Sequence, residues 1–392
     1  MALDISQRGS ARLDGQWGGL EQPRHWSEFS LSDLGPEHSL YFYVGSGLST
    51  AAGLVGWTEM ACMIWWYLTD RGDPTPGPCP ENGGRENEKF LAAFMGLRDD
   101  DGHKLLSHES AKALDRTVLL NLILRYREPS MKYITHGGTA QKRTPERPRT
   151  RCGREPDPED LVLQSLIWRT GCHGVLTSNY DMLLEHAYSA FSHGSALRSY
   201  RYDASFLRYI MSNRRFVLKL HGDINDIGTM QLNPEDFWIK KGKIYERYRK
   251  DLTTVYRDTL KQGHMVYVGA GFRDSTIIYL HEHWRDEQSV SDGSESPTGS
   301  PKFRVALVPD WELDTMKGEI QAKTEGFRKR GEDVSEKAFD DVKFLTYRER
   351  EYDALPDLLS RIIDARGNDH RSTWRPSQEA HDIYKRMFFD KD

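Results

Sequence analysis

The feature of this sequence that most restricts its fold is an alternation of short apolar runs with longer helical patterns. Six runs rich in β-branched and aromatic residues predict strands: Leu40–Val44, Gly174–Thr177, Arg215–Leu220, His264–Val268, Phe303–Val308 and Val342–Thr346. Helical patterns separate or follow them at Asp181–Phe191, Tyr245–Lys261, Ser275–Asp286, Thr315–Arg328 and Tyr352–Ile363. Strands that alternate with helices form β-α-β units with parallel strands. The sequence therefore predicts an α/β fold with a parallel sheet.

The connection between the first two predicted strands is too long for one crossover. Residues 58–172 contain several apolar clusters and predict a helical insertion that lies over the sheet. Within it, Lys142–Arg154 carries six Lys or Arg residues and a single acid, Glu146. We interpret this run as a solvated loop, with a contact to an acidic partner or a nucleic acid as the alternative. The predicted division is an N-terminal extension at 1–38, a domain at 39–365 and a tail at 366–392.

Charge and hydropathy exclude several classes of protein. The chain has 54 Lys and Arg against 59 Asp and Glu, a formal net charge of −5, which disfavours direct binding to nucleic acid. The most apolar stretch, Ala61–Leu68, is far shorter than the roughly 20 residues of a transmembrane helix. Met1–Arg24 lacks the apolar core of a secretory signal. We therefore expect a soluble, cytoplasmic protein without a membrane segment.

The residues that follow the predicted strands indicate a functional site. Four strands are followed directly by Gly45-Ser46-Gly47-Leu48-Ser49, Ser178-Asn179-Tyr180-Asp181, His221-Gly222-Asp223 and Gly269-Ala270-Gly271-Phe272-Arg273-Asp274. In open α/β sheets, ligands bind in the crevice outside the carboxyl ends of the strands. We therefore expect these four segments to converge on one site.

The two glycine pairs favour a nucleotide as the ligand. Without Cβ, Gly45 and Gly47 can approach a phosphate closely, and the residues after them can open a helix whose N–H groups favour an anion. One such pair could equally be an ordinary tight turn. The second pair, Gly269 and Gly271, favours a dinucleotide-like ligand. The pattern G-x-x-x-x-G-K-[ST] is absent, which disfavours a P-loop nucleotide hydrolase.

Asn179, Asp181 and His221 are the candidates for reaction chemistry. Each has a structural alternative, because Asn or Asp after a strand often caps a helix or forms a turn, and a lone His is often a structural residue. Their joint position at strand ends beside two glycine turns favours function.

The sequence predicts no metal site and no reactive cysteine. His281 and His283 are two residues apart on a predicted helix and face different directions, and the four cysteines form no C-x-x-C pair. Cys172 and His173 are adjacent and cannot face each other in a strand, so Cys172 is expected to be a small buried residue.

Together, the four motifs resemble those of the sirtuin-like NAD-binding domain. More narrowly, they resemble its bacterial branch of NAD hydrolases in antiphage defence. The motifs are Gly45–Ser49 with Gly53 and Trp57, then Thr177–Asp181, Leu220–Asp223 and Val268–Asp274, in the family's order. The resemblance implies a Rossmann-like parallel sheet of the sirtuin type with a helical insertion subdomain.

The resemblance also implies a role for each motif residue. The residues implied to contact the NAD diphosphate and ribose are Gly45, Ser46, Gly47 and Ser49. Asn179 and Asp181 are implied to face the nicotinamide ribose, and His221 to be the catalytic histidine. Gly269 and Gly271 are implied to lie near the adenosine half of NAD, with Asp274 in the same turn.

Two departures from the sirtuin deacylases stand out. Those enzymes carry paired C-x-x-C zinc ligands after the His-Gly motif, whereas this chain has no cysteine after Cys172. They also continue the first motif with Pro-Asp-Phe-Arg, where this chain has Val55-Gly56-Trp57-Thr58. We therefore expect no zinc, and NAD as a substrate that is simply cleaved.

The function implied is an NAD hydrolase that releases nicotinamide and ADP-ribose and depletes the cell of NAD in antiphage defence. Such enzymes need restraint, which in the family comes from oligomerisation or from a partner, and the resemblance implies a homo-oligomer. Because the chain ends soon after the sirtuin-like fold, a separately encoded HerA-family ATPase is the expected partner. The alternatives are a module that senses NAD or ADP-ribose without turnover and, less favoured, an NAD-dependent protein deacylase.

Overall fold

The fold is described from a computed structural model. It covers residues 24–31, 34, 39–51, 54, 126–127, 135–136, 139–140, 150–151, 161–192, 198–200, 215–226, 229–230, 243–272, 274, 276–281, 302–329, 339, 341–348 and 354–367. Most of the predicted insertion at 58–172, most of the basic run at 142–154 and nearly all of the predicted tail at 366–392 lie outside these residues.

Eight strands form one sheet in which every neighbouring pair is parallel. They are β1 (Arg24–His25), β2 (Ser39–Val44), β3 (Gly174–Thr177), β4 (Arg198–Tyr200), β5 (Phe216–Lys219), β6 (Gly263–Val268), β7 (Arg304–Pro309) and β8 (Val342–Tyr347). Their order across the sheet is β1-β8-β7-β6-β2-β3-β5-β4. All six predicted strands are present, each within one residue of its predicted ends. The α/β, Rossmann-like prediction is confirmed.

Helices cover both faces of this sheet. They are α1 (Ser46–Ala51), α2 (Val162–Arg169), α3 (Leu183–Phe191), α4 (Lys243–Gln262), α5 (Leu313–Lys329) and α6 (Ala354–Ala365), and residues 276–281 are also helical. In α6, Leu358, Leu359, Ile362 and Ile363 recur at helical spacing and are all buried. None of the helices described here is long and apolar enough to cross a membrane.

The described part of the insertion also contains two short antiparallel pairs. Tyr126–Arg127 pairs with Thr150–Arg151, and Thr135–His136 pairs with Thr139–Ala140. The sequence predicts helix and loop in this region, so these strands are a difference from the prediction. Pairs of two residues are too short to show the alternating apolar pattern by which strands are recognised.

Successive residues of the strands face two separate apolar layers. Along β2, Tyr41 and Tyr43 pack with α4 and α5, whereas Leu40, Phe42 and Val44 pack with α2, α3 and α6. Side chains of a strand alternate between faces, so one strand serves both layers. A sheet buried on both faces is typical of parallel α/β folds, and it leaves the strand ends as the place where ligands can bind.

Some residues of the predicted N-terminal extension at 1–38 pack against the sheet. β1 pairs with β8, and Phe29, Leu31 and Leu34 are buried in the core. Arg361 of α6 donates hydrogen bonds to the carbonyl oxygens of Trp26 and Phe29, at 3.2 and 2.8 Å. These contacts join residues far apart in the chain, so local periodicity could not reveal them.

The order in which the chain adds strands to the sheet reverses between the neighbouring strands β2 and β6. Counted along the chain, the six longer strands lie in the order 3-2-1-4-5-6, with β2 first and β6 fourth. The connections from these two neighbours leave in opposite directions, which opens a crevice at their carboxyl ends. Gly45 follows β2 and Gly269 follows β6, so both glycine turns lie at this crevice.

Candidate functional site

The two glycine turns pack directly against each other. The Gly45 N–H donates to the Val268 carbonyl and the Gly47 N–H to the Gly269 carbonyl, both at 3.0 Å. A Cβ on Gly47 would lie 2.9 Å from the Gly269 Cα. A Cβ on Gly269, whose φ is +59°, would lie 2.5 Å from the Leu48 nitrogen. Only glycine allows this close approach of the two backbones.

The predicted glycines therefore allow the two turns to pack on each other, and they also leave part of each turn exposed to solvent. The N–H groups of Gly47 and Leu48 are paired with carbonyl oxygens of the two turns. Gly47 and Gly271 are exposed and Ser46 is half-buried, so the outer surface of both turns faces solvent at the crevice. A ligand can therefore approach the turns from outside.

Ser49, Asn179 and Asp181 form a hydrogen-bonded chain, which we call the Asn179 cluster. The Ser49 hydroxyl donates to Asp181 Oδ2 at 2.6 Å and accepts from Asn179 Nδ2 at 2.8 Å. Asn179 Nδ2 also donates to the Gly45 carbonyl at 3.1 Å. Because an ionised carboxylate only accepts, this chain fixes the direction of every bond and leaves Asn179 Oδ1 as the acceptor for a ligand.

The loop after β3 is held in place from both sides. Thr177 Oγ1 donates to the Val44 carbonyl at 2.8 Å and accepts from the Asn179 N–H at 3.1 Å. Asp181 Oδ1 accepts from the Leu183 N–H at 3.0 Å, at the start of α3. Asp181 therefore forms a turn with the backbone at the start of α3 and is also a member of the Asn179 cluster. Asn179 and Asp181 are each 8% exposed.

Lys219 supports this loop from beneath, and the sequence analysis did not select it. Its side chain is fully buried and pairs with Glu185 at 3.1 Å and Asp223 at 3.4 Å. Its ammonium also donates to the carbonyl oxygens of Tyr180 and Asp181. Burial raises the pKa of the Glu185 carboxyl, with Lys219 acting in the opposite direction. The feature of the sequence that could have indicated this role is a lysine at the end of a strand whose other residues are apolar.

His221 and Asp274 form a second cluster, which we call the carboxyl-end pair. His221 Nε2 lies 2.8 Å from Asp274 Oδ2. Asp274 Oδ2 also accepts from the Tyr43 hydroxyl at 3.3 Å, and Oδ1 accepts from the Thr276 N–H at 2.8 Å. His221 is 2% exposed, and its Nδ1 has no hydrogen-bond partner among the residues that the structure describes.

The two clusters meet at one edge of the sheet. His221 follows β5 and Asp274 follows β6, with β2 and β3 between them, so their loops reach towards each other over the ends of both central strands. Tyr43 OH, which bonds Asp274, also interacts with the Ser178 side chain beside Asn179. Burial raises the pKa of Tyr43 well above its usual range, which keeps its hydroxyl neutral.

A model of one known protein family matches part of this chain. Residues 173–324 match the family model of the SIR2-like domain. The matched segment runs from β3 into α5 and contains Asn179, Asp181, His221 and Asp274, whereas Gly45–Ser49 precede it. This part of the chain is thus similar to the SIR2-like domain, and because SIR2-like domains use NAD, the similarity suggests an NAD-related activity in general terms. No curated protein matches the chain.

The donors and acceptors at the edge of the SIR2-like domain suit NAD. The exposed surfaces of two glycine turns can approach a diphosphate, and Asn179 Oδ1 and a ring nitrogen of His221 are groups of the kind that accept hydrogen bonds from ribose hydroxyls or water. Within the described ranges, no three His, Cys, Asp or Glu side chains are grouped to hold a metal ion. Cys172 is fully buried, and burial raises the pKa of its thiol to about 12.

Proposed function

We propose that the SIR2-like domain hydrolyses NAD to nicotinamide and ADP-ribose. The observation that carries this proposal is the buried His221, which is paired with Asp274 through Nε2 and whose Nδ1 has no hydrogen-bond partner in the described part of the chain. It lies at the same strand edge as the oriented Asn179 amide. A buried base beside a fixed polar group suits the deprotonation of water during attack on a sugar carbon.

The reaction needs little assistance at the leaving group. Nicotinamide is bound as a cationic ring and departs neutral with the electron pair of the N-glycosidic bond, so no general acid is required. The transition state resembles an oxocarbenium ion, as in other glycosyl transfers. The water oxygen forms the new bond to the ribose carbon, and its proton passes to His221.

Asn179, Asp181 and Asp274 are proposed to orient the reactants and to stabilise the transition state. Asn179 uses both amide hydrogens inside the protein, so its Oδ1 is the atom that orients the ribose or the attacking water. Asp181 supports the positive charge that develops on the ribose, and it also holds Ser49 in position. Asp274, which follows β6, forms a hydrogen bond with His221, which follows β5.

Nicotinamide and ADP-ribose are measured after the purified chain is incubated with NAD. Asn179→Ala and His221→Ala should each abolish release of both products and keep the fold, as judged by thermal unfolding. His173→Ala is the matched control, because His173 lies at the amino end of β3 and its Nδ1 accepts from the Leu40 N–H. Full turnover by the first two variants would refute the assignment.

The same incubation separates the other functions. NAD binding without product would favour a sensing module, and product that depends on an acetylated peptide would favour a deacylase. Free ADP-ribose in an amount equal to nicotinamide supports hydrolysis.

The proposed biological role is an NAD-depleting effector of antiphage defence that works as a homo-oligomer with a HerA-family ATPase. Its support is the resemblance of the four motifs to that branch of sirtuin-like proteins. Light scattering of the purified chain, alone and co-expressed with the neighbouring gene, measures the assembly. Phage plating and cellular NAD are then compared between the native chain and Asn179→Ala, and equal protection by both would refute the role.

A further inference from the structure

Asp274 contacts three polar groups through its two carboxylate oxygens. His221 Nε2 and the Tyr43 hydroxyl lie at Oδ2, and the Thr276 N–H donates to Oδ1. We propose that Asp274 is a positioning residue that fixes His221 with its proton on Nε2, so that Nδ1 is the atom that takes the proton from water. This inference rests on the proposed NAD hydrolysis.

The direction of the hydrogen bond follows from the carboxylate. An ionised Asp274 can only accept, so a neutral His221 must carry its proton on Nε2 and keep the lone pair on Nδ1. Nδ1 is buried and has no partner in the described part of the chain. A buried acceptor without a partner is unfavourable, so this nitrogen is the one that gains most from a ligand or a water.

The other two donors hold the carboxylate in one orientation. The Thr276 N–H, in the helical stretch at residues 276–281, donates to Oδ1. The Tyr43 hydroxyl reaches Oδ2 from the buried strand β2. With both oxygens held, the carboxylate cannot rotate away from His221, and the imidazole keeps the same orientation.

Asp274→Asn makes this assignment testable, because an amide has one acceptor and one donor end. To keep the bond from the Thr276 N–H, the amide oxygen must occupy the Oδ1 position. The amide nitrogen then faces His221 Nε2 and donates to it, which moves the imidazole proton to Nδ1. In the Ser-His-Asp hydrolases, the same wrong tautomer lowers kcat by about 10⁴-fold.

Nitrogen NMR of ¹⁵N-histidine-labelled protein reads the tautomer directly, without NAD. The His221 signals are assigned by their loss in His221→Gln. The native chain should carry the proton on Nε2 and Asp274→Asn should carry it on Nδ1. A native chain protonated on Nδ1, or the same tautomer in both proteins, would overturn the proposal.

Asp274→Ser separates positioning from helix capping. Serine can still accept from the Thr276 N–H but is too short to reach His221. We expect both Asp274→Ser and Asp274→Asn to fold and to lose kcat by about 10²-fold or more, with little change in KM. A purely structural Asp274 would leave kcat intact in both variants. If the native chain does not cleave NAD, the proposed function fails, and the NMR tautomers still confirm or overturn the assignment.

Discussion

Among the residues that the structure describes, two buried histidines each lie the same distance from a partly exposed aspartate, at opposite ends of the sheet. In the carboxyl-end pair, His221 Nε2 lies 2.8 Å from Asp274. In the other, which we call the amino-end pair, His281 Nε2 lies 2.8 Å from Asp341, which directly precedes β8. Contact distance alone therefore does not distinguish a reactive histidine from a structural one.

The surroundings of the two rings do distinguish them. His281 Nδ1 is paired with the Tyr256 hydroxyl at 3.0 Å, and its ring stacks on Phe339 with centroids 4.2 Å apart. Asp341 is shared with Arg304 at 3.1 Å. His221 Nδ1, by contrast, has no hydrogen-bond partner within the described ranges. A histidine with both ring nitrogens in hydrogen bonds stabilises the fold, whereas a histidine with one unpaired ring nitrogen can take up a proton there.

The largest stability effect is expected at Lys219, beneath the loop that follows β3. Lys219→Met leaves Glu185 and Asp223 buried without their shared cation, which costs about 3–5 kcal/mol of the free energy of unfolding. Urea unfolding measures the loss. Lys219→Met combined with Glu185→Gln and Asp223→Asn removes the stranded charges and should recover part of it. A single variant as stable as the native chain would show that the three side chains are not coupled.

The next effect lies in the amino-end pair. Asp341→Leu removes the partner of His281 and Arg304 and should cost about 1–3 kcal/mol of unfolding free energy. NAD turnover per folded molecule should stay unchanged, because this pair is at the opposite end of the sheet from the site. A large fall in kcat at full folding would mean that the two ends are linked and that the comparison fails.

The smallest effect is expected at Ser49. Ser49→Ala removes the hydroxyl between Asn179 and Asp181 and should cost about 1 kcal/mol of stability. Asn179 is then held by its bond to the Gly45 carbonyl and no longer by Ser49, so its amide is less well fixed and kcat should fall by about tenfold or more. Ser49→Thr retains a hydroxyl and serves as the matched variant. Equal kcat in native and Ser49→Ala protein would show that Asn179 does not depend on this bond.

The sequence was sufficient where a pattern is local. The six strands were recognisable as β-branched and aromatic runs, and parallel strands bring their carboxyl ends to one edge, which predicted that the segments with Asn179, His221 and Gly269 converge. The pairing of His221 with Asp274 was not visible, because it spans two intervening strands. Nor was the burial of Lys219, since a lysine at a strand end usually reaches solvent.

The glycine turns show the same limit. Gly45, Gly47 and Gly269 were predicted because residues without Cβ can approach a phosphate. The structure adds that these glycines pack on each other, a contact between two strands more than two hundred residues apart in the chain. One pattern thus serves both packing and access to the crevice.

The central claim is tested most directly by making the same substitution at both histidines. NAD turnover is measured, as nicotinamide released per folded molecule, for the native chain, His221→Gln and His281→Gln. The account predicts a loss of about 10³-fold in His221→Gln with stability nearly retained, and near-native turnover in His281→Gln with lower stability. Equal turnover in all three proteins, or a loss confined to His281→Gln, would contradict it.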